Sequence, residues 1–386
     1  MNILYVAPRY HTNQVPVMRG WNKIGAKVKF LVLYQGAIES HEFVDLQVIK
    51  PSLFSRVVHG LIDIIYNPVK SESLKSKTFV PSFLSLYKSI KEFKPDVVII
   101  REYSLFGLVA SMVCRLLGIK NVVIYTQYPI YGRKGEGASS CGRIMMSIAP
   151  RVRFSPVLYR GSYRKKDLKT GFANHFIPLI CDKPVNEREN YCPNDKIRLL
   201  DIGKYREYKN HFFVVDALSK VKHPEKFELT IIGQLSNETE RMYYSRLERY
   251  IKEKHLDDIV HLRGHVDYNE MGSIYTNHDV LVLASKEAAS VSVLESMSRG
   301  LCVLGSYENG TTCYLDEYKC GMSFSNSNIE SLIKILNNLY ENPNLISVYG
   351  KKAQEVAKNE LCFEKYRKGL HNLLQQEFNY SELFEK

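Results

Sequence analysis

Short apolar runs alternate with amphipathic stretches along most of this chain. Asn2–Ala7 and Val28–Leu33 read as buried strands, and the helix-compatible stretch Val15–Ile24 lies between them. That is a β-α-β start, which calls for a parallel sheet. Asp96–Ile100 reads as a third strand, Gly107–Leu117 as a helix closed by Gly118, and Asn121–Thr126 as the next strand. The middle portion, Leu53–Phe93, mixes helical periodicity with Pro68 and Pro81 and takes no clear assignment.

The alternation restarts in the second half. Strands are expected at Ile197–Gly203, Phe227–Gly233, Val260–Leu262, Val280–Leu283 and Leu301–Leu304. Helices are expected at His211–Lys220, Glu238–Glu253, Tyr268–Asn277, 291–299, 329–340, 344–358 and Cys362–Phe378. Alternation of this kind, twice over, predicts an α/β protein with two doubly wound Rossmann-like domains. The hinge falls near Asp182–Asp195, where Pro184 and Pro193 interrupt a polar stretch. Ligands of such sheets bind beyond the carboxyl ends of the strands, so a cleft between the domains is the expected site.

A length of 386 residues suits two domains, each able to bury a core. The longest apolar runs are too short to span a bilayer; the one at Val97–Ile100 stops at Arg101 and Glu102. The opening strand has neither a basic n-region nor a cleavage site, so no secretory signal is read and a cytoplasmic location is expected. Eight cysteines without a Cys-x-x-Cys spacing read as reduced thiols, with neither a zinc site nor a disulfide framework. The net charge of +12 is unevenly divided. Residues 1–190 hold 28 Lys and Arg against 13 Asp and Glu, whereas residues 191–386 hold 25 against 28. The basic half predicts an anionic partner: membrane headgroups, a lipid diphosphate or nucleic acid. Its densest cluster is Arg160, Arg164, Lys165, Lys166 and Lys169 after Arg151 and Arg153, with Tyr159 and Tyr163 interleaved.

Several chemistries are excluded by motif. The turn after the first strand, Pro8–Asn13, holds no glycine, so the dinucleotide fingerprint is missing. No P-loop occurs, and no two aspartates stand two apart to clamp a metal. The strongest signal is Ser285-Lys286-Glu287-Ala288-Ala289-Ser290-Val291-Ser292-Val293-Leu294-Glu295. Small residues at a helix start let an anion reach free backbone N–H groups, which the helix dipole also favours. Glu287 precedes that anion site and Glu295 follows it, so each can accept hydrogen bonds from a polyol on either side of a diphosphate. Gly203-Lys204 ends a strand of the same sheet, with Lys209 five residues on, adding cations suited to that diphosphate. Gly300 and Asn309-Gly310-Thr311 mark turns beside the motif.

Together these features resemble the family 4 retaining nucleotide-sugar glycosyltransferases, which have the GT-B fold. The resemblance rests on the Glu-x7-Glu pair in VLVLASKEAASVSVLESMSRGLCVL, and on LLDIGKYREYKN, ELTIIGQ, VHLRGHV and HDVLVLAS, in order across the C-terminal half. The N-terminal half matches more loosely, through MNILYVAPRY, RFSPV and FIPLICD. The resemblance implies that Lys204 and Lys209 hold the donor diphosphate, that Glu287 contacts the transferred sugar and that Glu295 binds the ribose. It implies that the backbone of Ala289, Ser290 and Val291 cradles the distal phosphate. It also implies that Gly203, Gly233, His265 and Val266 line the donor pocket, the last two beside the base. His11, Gln127 and Tyr128 fall on the acceptor side. No metal and no cofactor is implied beyond a UDP- or GDP-type nucleotide sugar as substrate. The acceptor implied is a glycan or a lipid-linked glycan, in surface polysaccharide biosynthesis, with peripheral contact to an anionic inner membrane face and no role for nucleic acid. Residues 1–185 form the acceptor-side domain, joined by the helix from 363 to 386, and residues 190–362 the donor domain. This chain departs from the family pattern at Lys204, where Arg is usual, at Ala288-Ala289-Ser290, where Gly-Phe-Gly is usual, and at Gln127-Tyr128, where His is frequent. A non-catalytic basic scaffold, or a nucleic-acid- or membrane-binding protein, on the same fold is the alternative.

Overall fold

The computed structural model describes residues 1–35, 41–65, 79–101, 104–132, 147–161, 169–170, 173–182, 184, 186–192 and 195–380. Tyr163, Arg164, Lys165 and Lys166 of the basic cluster lie outside them, as do Pro68, Cys141 and Pro193.

The N-terminal domain is built on β1 (Asn2–Val6), β2 (Lys27–Val32), β3 (Asp45–Val48), β4 (Val97–Arg101), β5 (Val122–Tyr125), β7 (Arg153–Ser155) and β9 (His175–Phe176). They form a parallel sheet in the order β3-β2-β1-β4-β5-β7-β9. The central strands are almost wholly apolar because helices cover both faces and leave no solvated side. A small antiparallel pair, β6 (Tyr131–Gly132) and β8 (Lys169–Thr170), stands beside it. The stretch without a clear sequence assignment contains helices Leu53–Ile65 and Phe83–Phe93.

The C-terminal domain repeats the scheme with β10 (Ile197–Ile202), β11 (Phe227–Ile232), β12 (Val260–Arg263), β13 (Val280–Leu283), β14 (Cys302–Ser306) and β15 (Met322–Phe324). Their order is β12-β11-β10-β13-β14-β15, again all parallel. Every strand expected in this half is present within a residue or two of its expected ends. Helix Thr312–Tyr318 and β15 are additional.

The last helix, Phe363–Phe378, packs on the N-terminal domain. Phe363 meets Trp21 edge to face at 5.0 Å, and its ring occupies the space a side chain at Gly20 would need. Trp21 donates to the Tyr5 hydroxyl at 2.8 Å, and that hydroxyl meets Tyr366 at 3.3 Å. One apolar cluster therefore runs from β1 through this helix into the C-terminal domain. The domains also meet at Tyr314, whose buried hydroxyl donates to the Pro156 carbonyl at 2.6 Å and accepts from the Leu179 N–H at 3.0 Å. The hinge is tied to the C-terminal sheet by fully buried Asp279, which accepts at 2.9 Å from both Arg188 and Arg198. Seven described cysteines are free thiols. Among the described residues no helix is long and apolar enough to cross a membrane.

Candidate functional site

The site is assembled from the carboxyl ends of β10, β13 and β14. After β10 the chain turns at Gly203 and runs through a short 3-10 helix, Glu207–Lys209, into helix His211–Leu218. Asn210 joins the two in the left-handed region (φ 60°), which an asparagine tolerates. This folds the Lys209 stem back over Gly203: a Cβ there would lie 2.7 Å from Lys209 Cδ. Gly233 is equally constrained, because a Cβ would lie 2.2 Å from the Gly203 carbonyl oxygen. Both glycines therefore shape the floor beneath Lys209.

Lys209 is buried, and its Nζ donates to Glu287 Oε1 at 2.6 Å. The loop carrying Glu287 is held on every side. Ser285 Oγ donates to Glu287 Oε1 at 3.0 Å and accepts from Asn309 Nδ2 at 2.8 Å. The Gly310 N–H donates to the Glu287 carbonyl at 3.0 Å, and the Lys286 N–H donates to the Tyr208 carbonyl at 2.7 Å. Gly310 can approach so closely only without a side chain: a Cβ would lie 1.9 Å from the Ala288 carbonyl oxygen. Asn309, Gly310 and Thr311, which the sequence offers as a turn, are thus the brace of the acidic loop.

Ala289 is half-buried and packs against the core; Ser290 is buried at the N-cap of helix Val291–Ser298. The Ser290 side chain makes no cap and instead meets Ser292 Oγ at 2.8 Å. No acidic residue lies in the first turn. No side-chain cap therefore takes the first N–H groups of this helix, and the positive end of its dipole lies there.

One helical stretch further, Glu295 accepts from the Tyr275 hydroxyl at 2.6 Å. Burial pushes the Glu295 carboxyl above its ordinary value, outweighing the Tyr275 hydrogen bond and the nearby Arg299 charge. Glu295 lines a small cavity with Val291 and, from the N-terminal domain, Asn13 and Pro16. The turn after β1 therefore faces the helix that starts at Val291, and the carboxyl ends of the two sheets meet across a cleft.

The other sequence candidates are placed less centrally. Lys204 is exposed, and its charge is one of several influences that favour the Glu240 carboxylate. Glu240 itself is fully buried; burial opposes its ionisation, but the Ser236 N–H and Arg206 hold it below the usual carboxylate range. His265 is exposed and lies 3.6 Å from Asp267, and Val266 packs partly against the core. On the N-terminal side His11 precedes the 3-10 turn Thr12–Gln14, and Gln127 and Tyr128 follow β5, all half-buried. The Tyr128 N–H donates to Thr126 Oγ1 at 3.2 Å.

Three contributors were not read from the sequence. Asp201 and His211, both fully buried, meet at 2.8 Å, and the second ring nitrogen of His211 lies 3.3 Å from the Lys204 carbonyl. Both ring nitrogens face oxygens, and these two contacts pin the turn beneath Lys209. An aspartate following the apolar pair Leu199-Leu200 near the end of a strand was the available signal. In the N-terminal domain, buried Arg101 at the end of β4 donates to Asn13 Oδ1 at 3.3 Å and stacks on Tyr125 at 5.3 Å. A larger cavity, about 820 Å³, lies behind the hinge between Arg19, Asp182, Arg299 and Glu364 and shares Pro16, Asp182 and Arg299 with the small one beside Glu295.

The family model described as Glycosyl transferases group 1 matches residues 182–356, the C-terminal domain that holds this site. A curated relative, the uncharacterized glycosyltransferase MJ1069 of Methanocaldococcus jannaschii, is 24% identical over 217 residues. That alignment covers 54% of this chain and 50% of the relative, so the chain spans about half the length of the curated relative it matches. Among solved structures, Anabaena Alr3699/HepE in complex with UDP superposes with a TM-score of 0.68 at 14% identity, covering 97% of this chain and all of the other. Sucrose-phosphate synthase from Thermosynechococcus elongatus gives 0.68 at 14% identity, covering 98% and 99%. The fold is that of the GT-B glycosyltransferases.

Proposed function

We propose that this chain transfers a sugar from a UDP- or GDP-type nucleotide sugar to a glycan or lipid-linked acceptor, with retention at the anomeric carbon and without a metal. The observation that carries the reading is the Lys209–Glu287 contact of 2.6 Å beside the uncapped start of helix Val291–Ser298. A diphosphate laid between the Lys209 ammonium and those N–H groups is neutralised from two sides. The UDP bound by the structurally similar Anabaena protein supports the same class of donor here.

The chemistry follows from charge. Breaking the sugar–phosphate bond builds negative charge on the diphosphate, and preorganised cations and dipoles stabilise it at no cost in reorganisation. Lys209 and the helix start do this, with Lys204 at the rim. Glu287, released from Lys209 as the phosphate takes over that ammonium, orients the sugar and softens the positive charge at its anomeric carbon. The acceptor hydroxyl attacks on the leaving-group face, the new C–O bond forms as the bond to the diphosphate breaks, and the hydroxyl proton passes to the departing phosphate oxygen. Glu295 takes the ribose hydroxyls. The basic N-terminal half takes the acceptor, of the kind built into surface polysaccharide, in the cytoplasm beside an anionic membrane. A thermal-shift panel of UDP, GDP, ADP and CDP sugars tests this. One nucleotide sugar stabilises the wild type, and Glu287→Ala and Lys209→Ala both lose that stabilisation. Stabilisation kept by both variants overturns the site.

A further inference from the structure

Helix Leu53–Ile65 is built inside out. Its inward side is small: Ser55 and Ile62 are its buried residues. Its outward side carries Leu53, Phe54, Val57, Leu61, Ile64 and Ile65, with Leu53 72% and Ile64 82% exposed. The spacing 53, 57, 61, 64 keeps them on one stripe. The start of helix Phe83–Phe93 extends this surface with Phe83 and Leu84, the latter 78% exposed. The two helix starts are stitched side by side: the Ser52 N–H donates to the Val80 carbonyl at 2.9 Å, the Ser82 N–H to the Lys50 carbonyl at 2.8 Å, and Pro51 bridges Pro81. A contiguous apolar surface of this kind on a soluble domain marks a contact with something else.

The charges around it choose the occupant. Exposed Lys50 precedes the first helix and exposed Arg56 lies on it, exposed Lys88 and Lys91 continue the Leu84 stripe at helical spacing, and the acids carried by the two helices are Asp63 and Glu92. An apolar face rimmed by cations fits the boundary between acyl chains and anionic headgroups, where such a face sinks by about 5–10 Å. Helix Leu53–Ile65 follows β3 at the carboxyl end of the N-terminal sheet, the end at which Asn13 and Arg101 stand.

We propose that the outward face of helix Leu53–Ile65, with Phe83 and Leu84, docks this chain onto an anionic bilayer and holds the N-terminal half of the cleft at the lipid surface. The surface stands on its own geometry; only its service to a lipid-linked acceptor rests on the function proposed above.

Sedimentation of the full chain with vesicles tests it, using phosphatidylcholine alone and phosphatidylcholine with about one third phosphatidylglycerol, at low and high salt. The wild type binds the anionic vesicles and is weakened by salt. Leu61→Glu with Ile64→Glu lowers binding at least about tenfold, since each places a charge in the apolar boundary. Lys88→Glu with Lys91→Glu removes the preference for phosphatidylglycerol. All four positions are exposed, so both variants keep the wild-type melting temperature. Failure of the wild type to bind vesicles, or equal binding by the Leu61/Ile64 variant, overturns the proposal. A concentration-dependent dimer that this variant abolishes, without vesicle binding, overturns it in favour of a second copy of the chain. The nucleotide-sugar shift is read on the same samples. Its absence, with vesicle binding still dependent on Leu61 and Ile64, defeats the transferase reading and leaves the docking surface standing.

Discussion

Lys209 and Glu287 are 78 residues apart in sequence and 2.6 Å apart in space. The pairing offsets the desolvation each charge bears, since Lys209 is buried and Glu287 half-buried. A double-mutant cycle on Lys209→Met and Glu287→Gln, read by chemical denaturation, is expected to give a coupling of about 1–3 kcal/mol. Strict additivity of the two variants contradicts the pairing.

Gly203 and Gly233 separate two effects that look alike in sequence. At Gly203 an alanine Cβ collides with the flexible Lys209 stem, which can swing away. Gly203→Ala is therefore expected to keep stability within about 1 kcal/mol and to lose about tenfold in donor affinity, measured by calorimetric titration. At Gly233 the collision is with the Gly203 backbone, which cannot move aside. Gly233→Ala is expected to cost about 1–3 kcal/mol or more in stability. Equal stability losses at the two positions would go against this account.

The raised Glu295 carboxyl gives a pH signature. The folded state holds its proton more tightly than the unfolded chain does. Folded protein thus binds more protons in the window that opens at the ordinary value of 4.5, and this carboxyl's contribution to stability falls as pH rises through it. Glu295→Gln cannot ionise and still accepts from Tyr275. Its melting temperature is expected to gain on the wild type as pH rises from 4.5, while donor binding weakens through the lost ribose contact. A melting difference that is flat or shrinks with pH refutes the assignment.

Asp279 carries the opposite sign. Burial opposes its charge, but Arg198 and the surrounding N–H groups hold the carboxyl below its ordinary 3.8. Its contribution is present above that value and is lost as pH falls through the lower folded value. Asp279→Ala leaves Arg188 and Arg198 facing a hole and is expected to cost about 3–5 kcal/mol, read by denaturant titration. The variant also loses this component of acid sensitivity. A cost below about 1 kcal/mol would show the hinge to be held by other contacts.

Much of the C-terminal half was legible because each parallel strand is a short apolar run between turns; Glu238–Glu253 and Val280–Leu283 fall at their expected bounds. The N-terminal half was harder. β3 is an edge strand with the mixed sequence Asp45-Leu46-Gln47-Val48, and helix Leu53–Ile65 shows its apolar side to solvent, which defeats the usual reading of amphipathicity. In the site, Glu287, Glu295 and Lys209 could be picked out as charged residues at strand ends and a helix start. The chain Asn309–Ser285–Glu287 could not, because it joins the loops after two different strands, and such register is settled only by the packed sheet. Lys204 and Lys209 are grouped by sequence, but the turn at Gly203 leaves Lys204 exposed while Lys209 is buried against Glu287.

The most direct test is a crystal structure of the chain with its nucleotide sugar. The expected result is a diphosphate oxygen within about 3 Å of Lys209 Nζ and of the first N–H groups of helix Val291–Ser298, with the Lys209–Glu287 contact opened. A diphosphate seated instead in the cavity behind the hinge, among Arg19, Asp182 and Arg299, with Lys209 still closed on Glu287, would contradict the account.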